Sequence, residues 1–177
     1  GMIDLATHLA RPDLAVLAPQ AAGRVWYPDR FTAPLAANQP WLDRALATVA
    51  DLLEALAGAG VPDGKVVLMG FSQGACLALE SAIRRPRAYG AVLGFAGGYI
   101  GPPEPARRRA EGRLEGVPVL LACAEQDAHI PAVRVRETAA LMGAMGARVD
   151  LRLRPGALHG IDDDALRAAR VALAGRV

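Results

Sequence analysis

The chain has 177 residues, 53% hydrophobic and 21% charged, with 19 glycines and 13 prolines; this excludes a disordered polymer, a coiled coil and a collagen-like repeat, and suits one domain rather than two. A formal net charge of +2 is too small to direct the chain to nucleic acid, and no apolar run approaches the roughly 18 residues of a membrane-spanning helix. Cys76 and Cys123 lie inside apolar runs, CLAL and LLACA, and read as buried free thiols of a reducing, cytoplasmic compartment.

Gly1, ahead of Met2, reads as a tag remnant, which leaves residues 2–177 as a single domain. The first segment is a helix with Asp4 as its cap and Leu5 and Leu9 on one face. Leu14–Ala18 (LAVLA) is a continuous apolar run, as expected of a strand buried on both faces of a parallel sheet. Pro40 opens a helix in which Leu42, Ala45, Leu46, Val49, Leu53 and Leu56 form a stripe, and Gly58 and Gly60 end it. Lys65–Met69 is a second strand of the buried type, and Gln73–Arg84 a helix stopped by Pro86. Ala91–Phe95 is a third such strand. Gly97–Gly116, rich in Gly, Pro and Arg, reads as a long surface loop, with Arg107, Arg108 and Arg109 on a solvated face. Val117–Ala122 is a fourth buried strand, followed by a helix over Pro131–Met145. In Arg148–Arg154, Val149, Leu151 and Leu153 alternate with charged residues, the pattern of a strand with one wet face near the sheet edge. Asp162 caps a last helix running to Ala174. The alternation predicts a three-layer α/β sandwich around a mostly parallel sheet.

The pentapeptide Gly70-Phe71-Ser72-Gln73-Gly74 matches G-x-S-x-G, and it lies where the motif needs to lie, between a strand and a helix. A serine on that tight turn needs neighbours without bulk two residues away, and Gly70 and Gly74 comply. The amide of Gln73, with the helix N-terminus behind it, is then the candidate oxyanion donor. The spacing fits neither G-x-G-x-x-G nor the P-loop.

A nucleophilic serine needs a base, and the base a carboxylate to orient it. Among three histidines, His8 precedes the serine and His129 follows Asp127 too closely to be its partner. His159, in a flexible turn after the edge-type strand, is the candidate base. Asp127, just past the strand Val117–Ala122, is the candidate acid; Glu125 is too close to that strand, and Asp162–Asp164 suit a helix cap.

Leu17-Ala18-Pro19-Gln20, Trp26-Tyr27-Pro28, Gly70–Ala75, Asp127-Ala128-His129-Ile130-Pro131 and Gly156-Ala157-Leu158-His159 occur in one order along most of the chain. In these stretches the chain resembles the phospholipase/carboxylesterase family of small α/β-hydrolases, which includes acyl-protein thioesterases and bacterial carboxylesterases. The resemblance implies an α/β-hydrolase fold and a serine hydrolase of small acyl esters or thioesters, with Ser72, Asp127 and His159 as its triad. It implies no metal or organic cofactor, and a shallow acyl groove beside Trp26, Tyr27 and the Gly97–Gly116 loop. The family's leading strand and H-G-x-G turn, source of a second oxyanion amide, find no match. An N-terminally truncated sheet is therefore expected, with Leu14–Ala18 pairing directly with the strand at Val66–Met69, or with the exposed surface covered in a homodimer. On that expectation the chain is a weak esterase; the alternative is a catalytically impaired relative that serves as a binding fold.

Overall fold

The computed structural model describes residues 2–9, 14–103 and 113–174. Four strands, β1 (Val67–Phe71), β2 (Ala91–Phe95), β3 (Pro118–Ala124) and β4 (Arg148–Arg154), form one sheet in sequential order. Every neighbouring pair is parallel. Parallel strands need a crossover between them, and the helices supply the layers on both faces.

Side-chain alternation divides the core in two. Val92, Val119, Leu121 and Cys123 face one way, against α2 (Trp41–Gly58), α3 (Gln73–Arg84) and α4 (Ala132–Ala144). Ala91, Leu93, Phe95, Leu120 and Ala122 face the other, against α5 (Asp163–Leu173) and Leu9, which follows α1 (Met2–His8). The central strands β2 and β3 are therefore buried on both sides, which is why their sequences are unbroken apolar runs. In β4, Val149, Leu151 and Leu153 pack on the α4 side, and the intervening charged residues look outward, where Arg152 meets Asp164 at 2.9 Å. Both cysteines are buried and free. No described helix is long and apolar enough to cross a membrane.

Three expectations fail, the first that Asp4 caps the first helix: it lies inside α1, in its first turn. Leu14–Ala18 is not a strand and does not pair with β1: among the described residues no strand lies on the outer edge of β1, and Val16 and Leu17 are exposed. An apolar run becomes a strand only where a ladder accepts its backbone groups, and this one has none. Nor is the Gly97 end of the long loop on the surface, since residues 97–101 are buried. A Cβ on Gly97 would lie 2.5 Å from that of Ala75, so glycine lets the backbone pass tightly against α3. Burial is made tolerable by hydrogen bonds: Tyr99 N–H donates to Thr138 Oγ1 at 3.0 Å and Ile100 N–H to Glu80 Oε2 at 2.9 Å. The arginines Arg107–Arg109 lie outside the described residues.

Asp162 caps α5 by accepting the N–H of Ala165 at 2.8 Å and also pairs with Arg154 at 2.9 Å. Replacing Asp162 with Ala is expected to cost about 1 kcal/mol in urea unfolding, whereas Asn, an equally good cap, should keep most of it. Equal losses in the two variants would assign the stabilisation to the ion pair instead.

Candidate active site

β1 ends one residue before Ser72, which turns the chain into α3 with φ 54° and ψ −122°. A residue with a Cβ is strained there by about 1–3 kcal/mol, so the surroundings must hold it. Ser72 N–H donates to Phe95 O at 2.9 Å, and Ser72 O accepts from Cys76 N–H at 3.0 Å. The turn is so tight that a Cβ on Gly70 would overlap the carbonyl of Gly74 and the nitrogen of Ala75. Gly74 is different: a Cβ there meets nothing among the described residues. Only the first glycine of the motif is demanded by space.

The loop after β3 brings Asp127. Its side chain is fully buried. Oδ1 accepts the N–H groups of His129 at 2.8 Å and Ile130 at 3.1 Å, and Oδ2 lies 2.7 Å from His159 Nδ1. An ionised carboxylate can only accept, so Nδ1 carries the proton, and Nε2 is left to accept from the Ser72 hydroxyl at 2.9 Å. Ser72, His159 and Asp127 thus form one continuous hydrogen-bonded chain. Burial works against charge on Asp127, but hydrogen bonds from His159 and from the His129 and Ile130 amides outweigh it and hold the carboxyl below its ordinary range. Cys123 Sγ sits 3.8 Å from the same Oδ2. Burial, reinforced by the charge of Asp127, pushes that thiol up to about 12, so it stays protonated.

The other residues singled out from the sequence sort clearly. His129 is exposed, and its ring stands edge-on to that of His159 at 4.9 Å; on the other count, its backbone amide serves Asp127. Phe71 lies 5.0 Å from the His159 ring. Glu125 pairs with Arg136 at 3.1 Å. Gln73 is the first residue of α3, adjoining Ser72. Its side chain, which the motif leaves unspecified, accepts Trp26 N–H at 2.7 Å and donates to Tyr27 O at 2.8 Å, tying residues 26 and 27 to the turn. Trp26 is half-buried at the edge of the core. Tyr27 is 1% exposed and packs within the core, so its ring is not a surface that a substrate meets here.

Sequence reasoning overlooked Gln126 and Arg154. Gln126 exchanges hydrogen bonds with Gly156, and Arg154 reaches the carbonyls of Leu158 and Gly160. Neither leaves a signal in the pattern, since one is a polar loop residue and the other looks like the wet side of an edge strand. Beside the segment that carries His159 a crevice of about 210 Å³ runs between β4 and α5, lined in part by Cys123, Leu153, Arg154, Gly160 and Asp162. Among the described residues no group of three or more His, Cys, Asp or Glu side chains is arranged as metal ligands.

The family model described as phospholipase/carboxylesterase matches residues 14–174. The chain is similar to a phospholipase/carboxylesterase from Dyadobacter fermentans, with 36% identity, a TM-score of 0.92, and coverage of 97% of this chain and 81% of that one. Similarity to an esterase, PE8, is 28% identity at a TM-score of 0.76, covering 99% of this chain and 85% of the other. A carboxylesterase from Mesorhizobium loti shares the fold at 22% identity and a TM-score of 0.73, over 98% of this chain and 81% of that one. No curated protein matches the chain.

The two glycines of the motif give a paired prediction. Gly70→Ala should leave no properly folded turn and no reactive Ser72. Gly74→Ala, in a helix and with open space at its Cβ, should be neutral or stabilising by up to about 1 kcal/mol. Thermal melting and reactivity toward an activated ester read both.

Proposed function

Given that the chain belongs to the phospholipase/carboxylesterase family of α/β-hydrolases, we propose that it cleaves small carboxylic esters or thioesters through an acyl-enzyme intermediate on Ser72. The observation that carries this reading is the unbroken chain from Ser72 Oγ to His159 Nε2 at 2.9 Å and from His159 Nδ1 to Asp127 at 2.7 Å.

Ser72 Oγ attacks the acyl carbonyl while His159 Nε2 takes the hydroxyl proton. The carbonyl π electrons move onto oxygen, and the Gln73 N–H at the start of α3 donates to that oxyanion, aided by the positive end of the helix. Asp127 stays ionised and stabilises the imidazolium through Nδ1–H. Collapse of the intermediate breaks the bond to the leaving alcohol or thiol, which receives the proton from His159. Water, activated by the same imidazole, then attacks the acyl-serine and releases the acid, returning the proton to Ser72. All proton transfers use groups of this chain, so the reading calls for no metal or organic cofactor.

Further support is energetic. The strained backbone at Ser72 costs folding free energy, and a fold that only bound a partner would not need it. Trp26, beside the turn, is proposed to border the acyl-binding surface.

Ser72→Ala and His159→Ala are each expected to lower kcat for p-nitrophenyl acetate by about 10⁴-fold or more, with the fold retained. His129→Ala should cost less than about tenfold, since its ring lies beside the relay and not in it. Wild-type turnover in Ser72→Ala, or equal losses in the two histidine variants, would remove the assignment.

A further inference from the structure

The base sits on a segment that hydrophobic burial does not hold. No residue from Pro155 to Gly160 is buried, Leu158 is 69% exposed, and Gly156 takes a φ of 106° that favours glycine. The geometry makes a firm hold necessary. His159 follows β4 at one edge of the sheet, and Ser72 follows β1 at the other. Three strand spacings of about 4.8 Å separate those edges, roughly 14 Å in all. The segment must lean back over the end of β3 and stay there, because a misplacement of ~1 Å at a reacting group can cost 10²-fold in rate.

What holds it is polar. At its start, Gln126 N–H donates to Gly156 O at 3.0 Å, and Gly156 N–H donates to Gln126 Oε1 at 2.7 Å. Gln126 immediately precedes Asp127, so the loop that carries the acid grips the segment that carries the base. Around the histidine, Arg154 Nη2 donates to the carbonyls of its two neighbours, Leu158 at 2.7 Å and Gly160 at 3.4 Å. Arg154 Nε pairs with Asp162 at 2.9 Å, and its own carbonyl accepts Glu125 N–H at 2.8 Å. A guanidinium keeps its charge at every relevant pH and presents several donors in a fixed fork, which suits it to bridging carbonyls that cannot move apart.

We propose that Gln126 and Arg154 are positioning residues for the base: a two-point clamp that fixes the Pro155–Gly160 segment so that His159 stands between Asp127 and Ser72. Its kinetic consequences rest on the esterase reading above; its structural consequence does not.

The test uses the full chain and four variants. Gln126→Met and Arg154→Met are expected to lower kcat for p-nitrophenyl acetate by roughly 10- to 100-fold while KM barely moves, because a displaced base weakens the transition state and not substrate binding. Gln126→Glu still offers an acceptor to Gly156 N–H and should recover most of the loss. Arg154→Lys should recover less, since an ammonium cannot reproduce the fork. In parallel, the downfield NMR resonance of the His159 Nδ1–H, which depends on its bond to Asp127 and needs no substrate, should weaken in both Met variants and return in Gln126→Glu. Arg154→Met also breaks the pair with Asp162, so its kinetics count only where it melts like the wild type; exposed Gln126 carries the test regardless. Gln126→Met with wild-type kcat, equal losses in its Met and Glu variants, or an unchanged resonance in Gln126→Met would overturn the clamp. If the wild type hydrolyses no ester, the esterase reading fails, and the resonance alone still decides the clamp.

Discussion

A hydrogen bond of 2.9 Å joins Ser72 to His159, residues 87 apart in sequence, across the full width of a four-stranded sheet. Nearly every distinctive feature of the molecule bears on that bond. The sheet sets the distance to be crossed. Gly70 allows the turn that lifts Ser72 above the end of β1, and Asp127, rising from β3, meets the imidazole part of the way back. Because the strands run parallel in sequential order, the loops that carry Ser72, Asp127 and His159 emerge at the same end of the sheet.

The electrostatics follow from this geometry. A carboxylate removed from water would ordinarily be driven toward its neutral form, and it could then no longer orient an imidazole or stabilise its charge. Two backbone amides and the imidazole N–H compensate for the lost water at Asp127. Cys123, packed against the same oxygen, is kept protonated by burial and by that charge, so it is a neutral neighbour of the carboxylate.

Much of this was legible in the sequence where local pattern and tertiary outcome agree. Ala91–Phe95 and Arg148–Arg154 are strands over the expected residues, and Gln73–Arg84 is a helix over the expected ones. Ser72, Asp127 and His159, chosen by chain order relative to strands, do converge. The failures have physical reasons. Leu14–Ala18 has the composition of a strand, but strand formation depends on a partner edge that composition does not encode. Residues 97–101 look like a surface loop because Gly is common in such loops, yet here glycine serves close packing against α3. Tyr27 and Trp26 look alike as adjacent aromatics, yet the chain bends through them and tertiary packing buries one ring in the core and leaves the other at its edge. Gln126 and Arg154 escaped notice because their partners are backbone atoms of a distant loop, and no residue pattern announces those.

The central claim is that Ser72 is an activated nucleophile, and its chemistry can be read directly. The chain has two serines, Ser72 and Ser81, and Ser81 is buried in α3, so a covalent adduct can be assigned without ambiguity. Brief treatment with a fluorophosphonate, followed by intact-mass measurement and peptide mapping, should give one phosphonyl group per chain, on Ser72. The adduct should fail to form at a comparable rate in His159→Ala. No adduct on the folded wild-type chain, or an adduct that forms equally fast without His159, would contradict the account.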